Sequence, residues 1–153
     1  MGEDSIRPFL EYENKWTIVL GLTSNKGAGD FQLLRVQGET PGPFLYEQVM
    51  RKVAGWGTTG NLMFVTGATK AADLAGIREI IPSHFLLVPG VGFQGGSLAE
   101  VSRYGLNNDC GLLVNASRAI IYAGEKEDFA MEARAIAYQY QQEMSSYLDL
   151  NKL

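Results

Sequence analysis

The run Val88-Pro89-Gly90-Val91-Gly92-Phe93-Gln94-Gly95-Gly96 follows an apolar stretch and precedes a helical pattern that begins near Ser97. Four glycines within the seven residues 90–96 let the backbone approach a ligand and turn N–H groups inward, and a helix start adds the positive end of its dipole. That suits an anion. It equally suits a tight connection that needs positive φ angles, and the segment alone leaves both readings open. The next unit, Asn115-Ala116-Ser117-Arg118-Ala119-Ile120, sets an arginine just past the following apolar run. Its planar fork can hold two phosphate oxygens, and Gln94 can add a neutral donor. The bland alternative is a surface cation near a helix; the glycine loop one unit earlier favours phosphate.

Elements must exist to bring these residues together. Trp16 to Leu22, Leu62 to Thr66, Phe85 to Val88 and Gly111 to Val114 are short runs rich in Val, Ile, Leu or Phe that stop at small or turn-forming residues, and they read as buried strands. Each precedes a helical pattern: Pro43 to Gly55, Lys70 to Ile81, Ser97 to Leu106, and Phe129 to about Leu150. Continuous hydrophobicity implies strands covered on both faces, and strand–helix alternation implies parallel pairing through right-handed crossovers. In the last helix Phe129, Ala133, Ile136, Tyr140, Met144 and Tyr147 form a stripe expected to pack on the sheet. Ile6, Phe9 and Leu10 mark a further helix near the N-terminus, with Asp4 or Ser5 placed to cap it and no strand before it.

Four β/α units can make a small doubly wound sheet or half of a (β/α)8 barrel. A whole barrel takes about 250 residues, more than the 153 here. Loops after strands seven and eight of such barrels often bind phosphate, which matches the order of the glycine loop and Arg118.

With 46% hydrophobic and 20% charged residues, the chain reads as one globular domain spanning residues 1–153. A net charge of -4, with Lys and Arg scattered, offers no field for nucleic acid or an anionic membrane. Cys110 is the sole cysteine, so no internal disulfide can form, and without a matching histidine it reads as a small buried residue. No N-terminal run has the form of a signal peptide or membrane span, and a cytoplasmic location is expected.

The runs Leu22-Thr23-Ser24-Asn25, Val65-Thr66-Gly67-Ala68-Thr69, Val88 to Gly92 with Gln94-Gly95-Gly96, and Ser117-Arg118-Ala119-Ile120 together resemble orotidine 5'-phosphate decarboxylase, in particular its longer bacterial subfamily. They fall in the family's order at the ends of what would be strands five to eight. The resemblance implies an α/β fold, the C-terminal half of a (β/α)8 TIM barrel with one extra N-terminal helix. It implies conversion of orotidine 5'-monophosphate to UMP and carbon dioxide without metal or organic cofactor. Carried over residue by residue, Ser24 would hydrogen-bond the pyrimidine, with Asn25 as its neighbour, and Pro89 would pack near the base. Gln94, Arg118 and backbone N–H groups around Gly95 and Gly96 would hold the 5'-phosphate. Such a remote grip can still lower a barrier formed elsewhere by driving loop closure.

The family's lysine–aspartate array, built around Asp-x-Lys-x-x-Asp on early strands, has no counterpart here. Lys70 and Asp73 have part of the spacing, but Ala68 stands at the first aspartate and the segment follows the wrong strand. A charged first helical turn is the expected role of Asp73. Phe93 and Lys26 depart from the small residue and the proline expected at those places. His84, at the entry of its strand, reads as structural, and Asp30 and Gln32, in the long connection after Lys26, as solvated polar residues.

Three readings follow: a catalytically silent fragment of the decarboxylase, a half-barrel that binds a phosphorylated ligand without turning it over, or another phosphate-binding barrel enzyme. Opening a barrel leaves two strand edges and apolar interior side chains uncovered, so a homodimer or higher oligomer is expected.

Overall fold

A computed structural model describes residues 2–38, 41–68, 71–92 and 95–150. Helix α1 (Glu3–Leu10) leads into β1 (Thr17–Leu22), followed by α2 (Ala28–Phe31) and α3 (Leu45–Ala54). Then come β2 (Leu62–Thr66), α4 (Asp73–Ile80), β3 (Phe85–Pro89), α5 (Leu98–Gly105), β4 (Leu112–Asn115), α6 (Ser117–Ile121) and α7 (Phe129–Leu150). All three strand pairings are parallel and the order is β1-β2-β3-β4. This is the expected α/β alternation, with the extra leading helix.

The two faces of the sheet differ. Leu62, Phe64, Leu86, Val88 and Leu112 point to the helical layer and are buried against Met50, Val53, Leu74, Ile77 and Val101. Successive side chains on a strand alternate in direction, so the paired residues Ile18↔Met63, Leu20↔Val65, Val65↔Leu87 and Leu87↔Leu113 share the opposite face. There Ile18, Leu20 and Leu113 remain 46%, 52% and 48% exposed. A face this apolar and this open is what four strands of a barrel present when nothing fills the interior.

Several expected boundaries move for local reasons. Helix α3 begins at Leu45 rather than Pro43, because Leu34 and Val36 in the preceding connection bond to Leu45 and Pro43 and because Glu47 accepts the Phe44 N–H at 2.8 Å. Neither Asp4 nor Ser5 caps α1; both lie inside it, after Gly2. The α7 stripe is only half realised. Tyr140, Met144 and Tyr147 pack against the core, whereas Phe129 is exposed and no α7 residue is fully buried. A helix beside the last strand of an open sheet has a neighbour on one flank only. Sequence periodicity could not show the short helices α2 and α6, each under two turns long.

Candidate functional site

The C-terminal ends of β1, β3 and β4 and the segments after them carry those predicted residues that are described: Ser24, Asn25, Pro89, Gly95, Gly96 and Arg118. The Leu22 carbonyl accepts the Gly67 N–H at 2.9 Å, and this holds the end of β1 beside that of β2. Ser24 then lies so close to Gly67 that a Cβ on the glycine would stand 2.0 Å from Ser24 Oγ. Ala68, buried, touches the next loop in turn: a Cβ on Gly96 would come within 2.6 Å of Ala68 Cβ and 2.8 Å of the Gly90 carbonyl. Only glycine fits at 67 and 96. These contacts make one continuous rim from Ser24 through Gly67 and Ala68 to the glycine-rich loop.

That loop has the backbone its composition implies, with φ of 97°, 80° and 85° at Gly90, Gly92 and Gly95. Its amides are already engaged with one another. Gly92 N–H donates to the Gly96 carbonyl (2.9 Å), Gly95 N–H to Gly92 (2.8 Å) and Gly96 N–H to Gly90 (3.3 Å). In this arrangement the N–H groups of Gly95 and Gly96 close the loop on itself, so an anion there would have to exchange with those bonds. Past the loop, Ser97 caps α5 by accepting the Glu100 N–H at 3.3 Å.

The helix that carries Arg118 lies in the same region. Pro89 pairs with Asn115, so the exits of β3 and β4 stand side by side. A Cβ on Gly92 would lie 3.4 Å from Ala119 Cβ and 2.1 Å from Tyr140 Oη, so the loop rests directly on α6, which carries Arg118, and on α7. Arg118 is exposed. At the foot of α6, Ser117 Oγ donates to Asn115 Oδ1 at 2.7 Å. Gln94, like Phe93, Thr69 and Lys70, lies outside the described residues. The loop that carries Gln94 and the helix that carries Arg118 therefore meet.

On the open face a shallow apolar groove of about 400 Å³ runs along Leu87, Leu113, Asn115 and Ile120. A larger groove, about 470 Å³, lies at the far edge between α1 and β1, lined by Ile6, Phe9, Trp16 and Ile18. The latter lacks the convergent polar groups of a ligand site and marks the unpaired flank of β1. Among the described residues no cluster of three His, Cys, Asp or Glu side chains could hold a metal, and no helix is long and apolar enough to cross a membrane.

Other sequence readings are placed as follows. Asp73 opens α4, where a carboxylate complements the dipole. Before β3, His84 turns its ring edge to Phe64 at 5.7 Å, and burial together with the nearby Arg78 guanidinium holds its pKa below 6.5. Cys110 is half-buried, with φ 70° and its Sγ 3.6 Å from the Leu112 carbonyl. Asp30 is exposed as expected, but Gln32 is not a solvated polar residue. Its Oε1 accepts both the N–H (2.8 Å) and the hydroxyl (3.1 Å) of Thr23, the residue before Ser24. No periodicity or motif marks Gln32, because the contact depends on how α2 folds the connection back on β1.

Parallel β/α units whose strand ends carry a glycine loop and a nearby arginine define one class: a half of a (β/α)8 barrel with its ligand face at the strand C-termini. Comparison with known proteins makes the likeness particular. The chain is 56% identical over 149 residues to the orotidine 5'-phosphate decarboxylase of Flavobacterium johnsoniae and 53% identical over 148 residues to that of Phocaeicola vulgatus. Each alignment takes in 97% of this chain and 53% of the relative, so the chain spans about half the length of the curated relatives it matches. The solved Leishmania donovani OMP decarboxylase superposes with a TM-score of 0.75 at 36% identity, covering 94% of this chain and 54% of that one. No family model matches the chain.

Proposed function

We propose that this chain is the phosphate- and base-binding half, equivalent to strands five to eight, of an orotidine 5'-phosphate decarboxylase. The whole enzyme would convert orotidine 5'-monophosphate to UMP and carbon dioxide in pyrimidine synthesis. In this reading Arg118 and Gln94 hold the 5'-phosphate, Gly95 and Gly96 release their loop bonds to it, and Ser24, Asn25 and Pro89 meet the base. The observation that carries it is the contact of the glycine loop with α6, beside Arg118, in a chain more than half identical to such enzymes. The departing carboxylate leaves an electron pair at C6, and the proton that quenches it comes in the family from a lysine within the lysine–aspartate array. That array is not among these 153 residues, so the chain by itself should be silent. A cytoplasmic setting and a reaction without cofactor belong to the same proposal.

Titration with UMP tests it. The chain should bind UMP, Arg118→Ala should weaken binding about 10- to 100-fold as a charge-assisted phosphate contact is lost, and neither protein should release carbon dioxide from orotidine 5'-monophosphate. Equal affinity for unrelated sugar phosphates would favour another phosphate-binding barrel. An in-frame Asp-x-Lys-x-x-Asp segment upstream of Met1 in the genome would supply the chemistry this stretch does not contain.

The open face of the sheet supports a further part of the proposal, a homodimer or higher homo-oligomer. All four strands run parallel, so a twofold rotation about the barrel axis lays β4 of one copy alongside β1 of the other, twice over. Such a pseudo-barrel would bury Ile18, Leu20 and Leu113 and pair both edges. Light scattering at micromolar concentration should give twice the chain mass or more; a monomer would refute this arrangement.

A further inference from the structure

The connection between β1 and α3 is long, and long connections are often functional; here its Gln32 returns to the strand end that carries Ser24. Leu22 directs its carbonyl to Gly67. Backbone direction alternates along a parallel strand, so the next N–H, that of Thr23, faces away from β2, one residue past the end of β1. There Gln32 Oε1 takes the Thr23 N–H at 2.8 Å and the Thr23 hydroxyl at 3.1 Å. An amide N–H can only donate, so the orientation of the Gln32 carboxamide is fixed by its partner.

Gln32 is itself held. Its own carbonyl accepts the Tyr46 N–H at 3.1 Å in the first turn of α3, and Leu33 N–H returns to Ala28 in α2 at 3.1 Å. Tyr46 and Ala28 are buried. The acceptor oxygen is thus anchored to two helices. On its other side Ser24 abuts Gly67, where a Cβ would lie 2.0 Å from its Oγ and 2.9 Å from its N. Thr23 and Ser24 are clamped between Gln32 and the end of β2.

We propose that Gln32 is a positioning residue for Ser24: its side-chain oxygen holds Thr23 just past the end of β1 and so fixes the direction in which Ser24 meets the base of a pyrimidine nucleotide. This rests on the assignment of Ser24 to the base. The chemistry demanded of residue 32 is narrow, an acceptor of the right reach with no need for a donor, so glutamate should serve and leucine should not.

The test compares the full chain with Gln32→Glu and Gln32→Leu in two readings. Without ligand, hydrogen exchange at the Thr23 amide should quicken about 5- to 10-fold in Gln32→Leu, as one net hydrogen bond is lost, and stay within about 3-fold of the parent in Gln32→Glu. With UMP, followed by the Ser24 amide resonance, affinity should fall by a similar factor in Gln32→Leu and recover in Gln32→Glu. Rescue by glutamate is what general loosening of the connection would not give. Unchanged exchange and binding in Gln32→Leu, or equal losses in both variants, would overturn the role of Gln32 while leaving the site standing. No UMP binding by the parent chain would instead overturn the assignment of Ser24, and the inference with it.

Discussion

The two ends of the sheet are held in opposite ways. At the strand N-termini one side chain spans four segments: Arg78, from α4, donates to the carbonyls of Gly105 (2.7 Å), Gly111 (2.8 Å), His84 (2.6 Å) and Ile81 (3.3 Å). These lie at the end of α5, before β4, before β3 and after α4. Burial lowers the Arg78 pKa to about 10, which leaves it charged at neutral pH. At the strand C-termini the contacts are pairwise: the Gly67 N–H meets the Leu22 carbonyl, and Gln32 Oε1 takes the N–H and hydroxyl of Thr23. The glycine loop is closed by bonds between residues at most six apart in sequence, and its neighbours are fitted by absence of side chains at Gly67 and Gly96. One end is joined by a single cation across four segments, the other by local contacts between neighbouring loops. That division suits a barrel whose stability resides at one end and whose ligand contacts reside at the other.

Substitutions at the two ends should therefore separate. Arg78→Met should cost the most stability, about 3–5 kcal/mol, since it strips the charged donor from several buried carbonyls at once. Chemical denaturation reads it directly. Arg78→Lys should recover little, because an ammonium cannot reach four carbonyls spread around a planar fork. Gly96→Ala comes next: with Ala68 Cβ and the Gly90 carbonyl in the way, the loop must shift, and UMP binding should weaken more than stability falls. Arg118→Ala should leave the melting temperature within about 1–2 °C, as a surface substitution does, while it weakens UMP binding about 10- to 100-fold. If Arg78→Met left stability intact, or if Arg118→Ala unfolded the chain, the contrast between the ends would collapse.

The sequence made the strands and the main helices readable because each buries one face, and burial imposes a period. Leu62–Thr66 and Phe129–Leu150 sit where their patterns put them. The glycine loop was readable because positive φ at Gly90, Gly92 and Gly95 leaves little other choice of residue. What escaped was whatever depends on a contact distant in sequence or on a covering that is not there. Gln32 looks like any polar loop residue until α2 folds it onto Thr23. Phe129 follows a core stripe yet stays exposed, since α7 has no neighbour beyond the β4 edge. The engagement of the Gly95 and Gly96 amides within their own loop is likewise a matter of conformation, to which composition is blind.

The smallest effects come from two buried polar atoms without partners among the described residues, Thr66 Oγ1 and His84 Nε2. Thr66 lies in the wholly packed part of β2, so Thr66→Val removes a desolvated hydroxyl at nearly equal volume and should be neutral or stabilising by up to about 1 kcal/mol. His84 adds a pH dependence. Because its folded pKa is depressed below 6.5 by burial and by Arg78, the unfolded chain binds a proton more readily than the folded one. Stability contributed by the neutral ring is therefore complete above pH 6.5 and declines as the pH drops from 6.5 toward the folded value. Denaturation midpoints at pH 7.5 and pH 5.5 should differ more for the parent than for His84→Phe, which has no proton to gain. Parallel pH profiles for the two would mean that the ring reaches solvent as easily folded as unfolded, and that the N-terminal end of β3 is looser than the Arg78 tie implies.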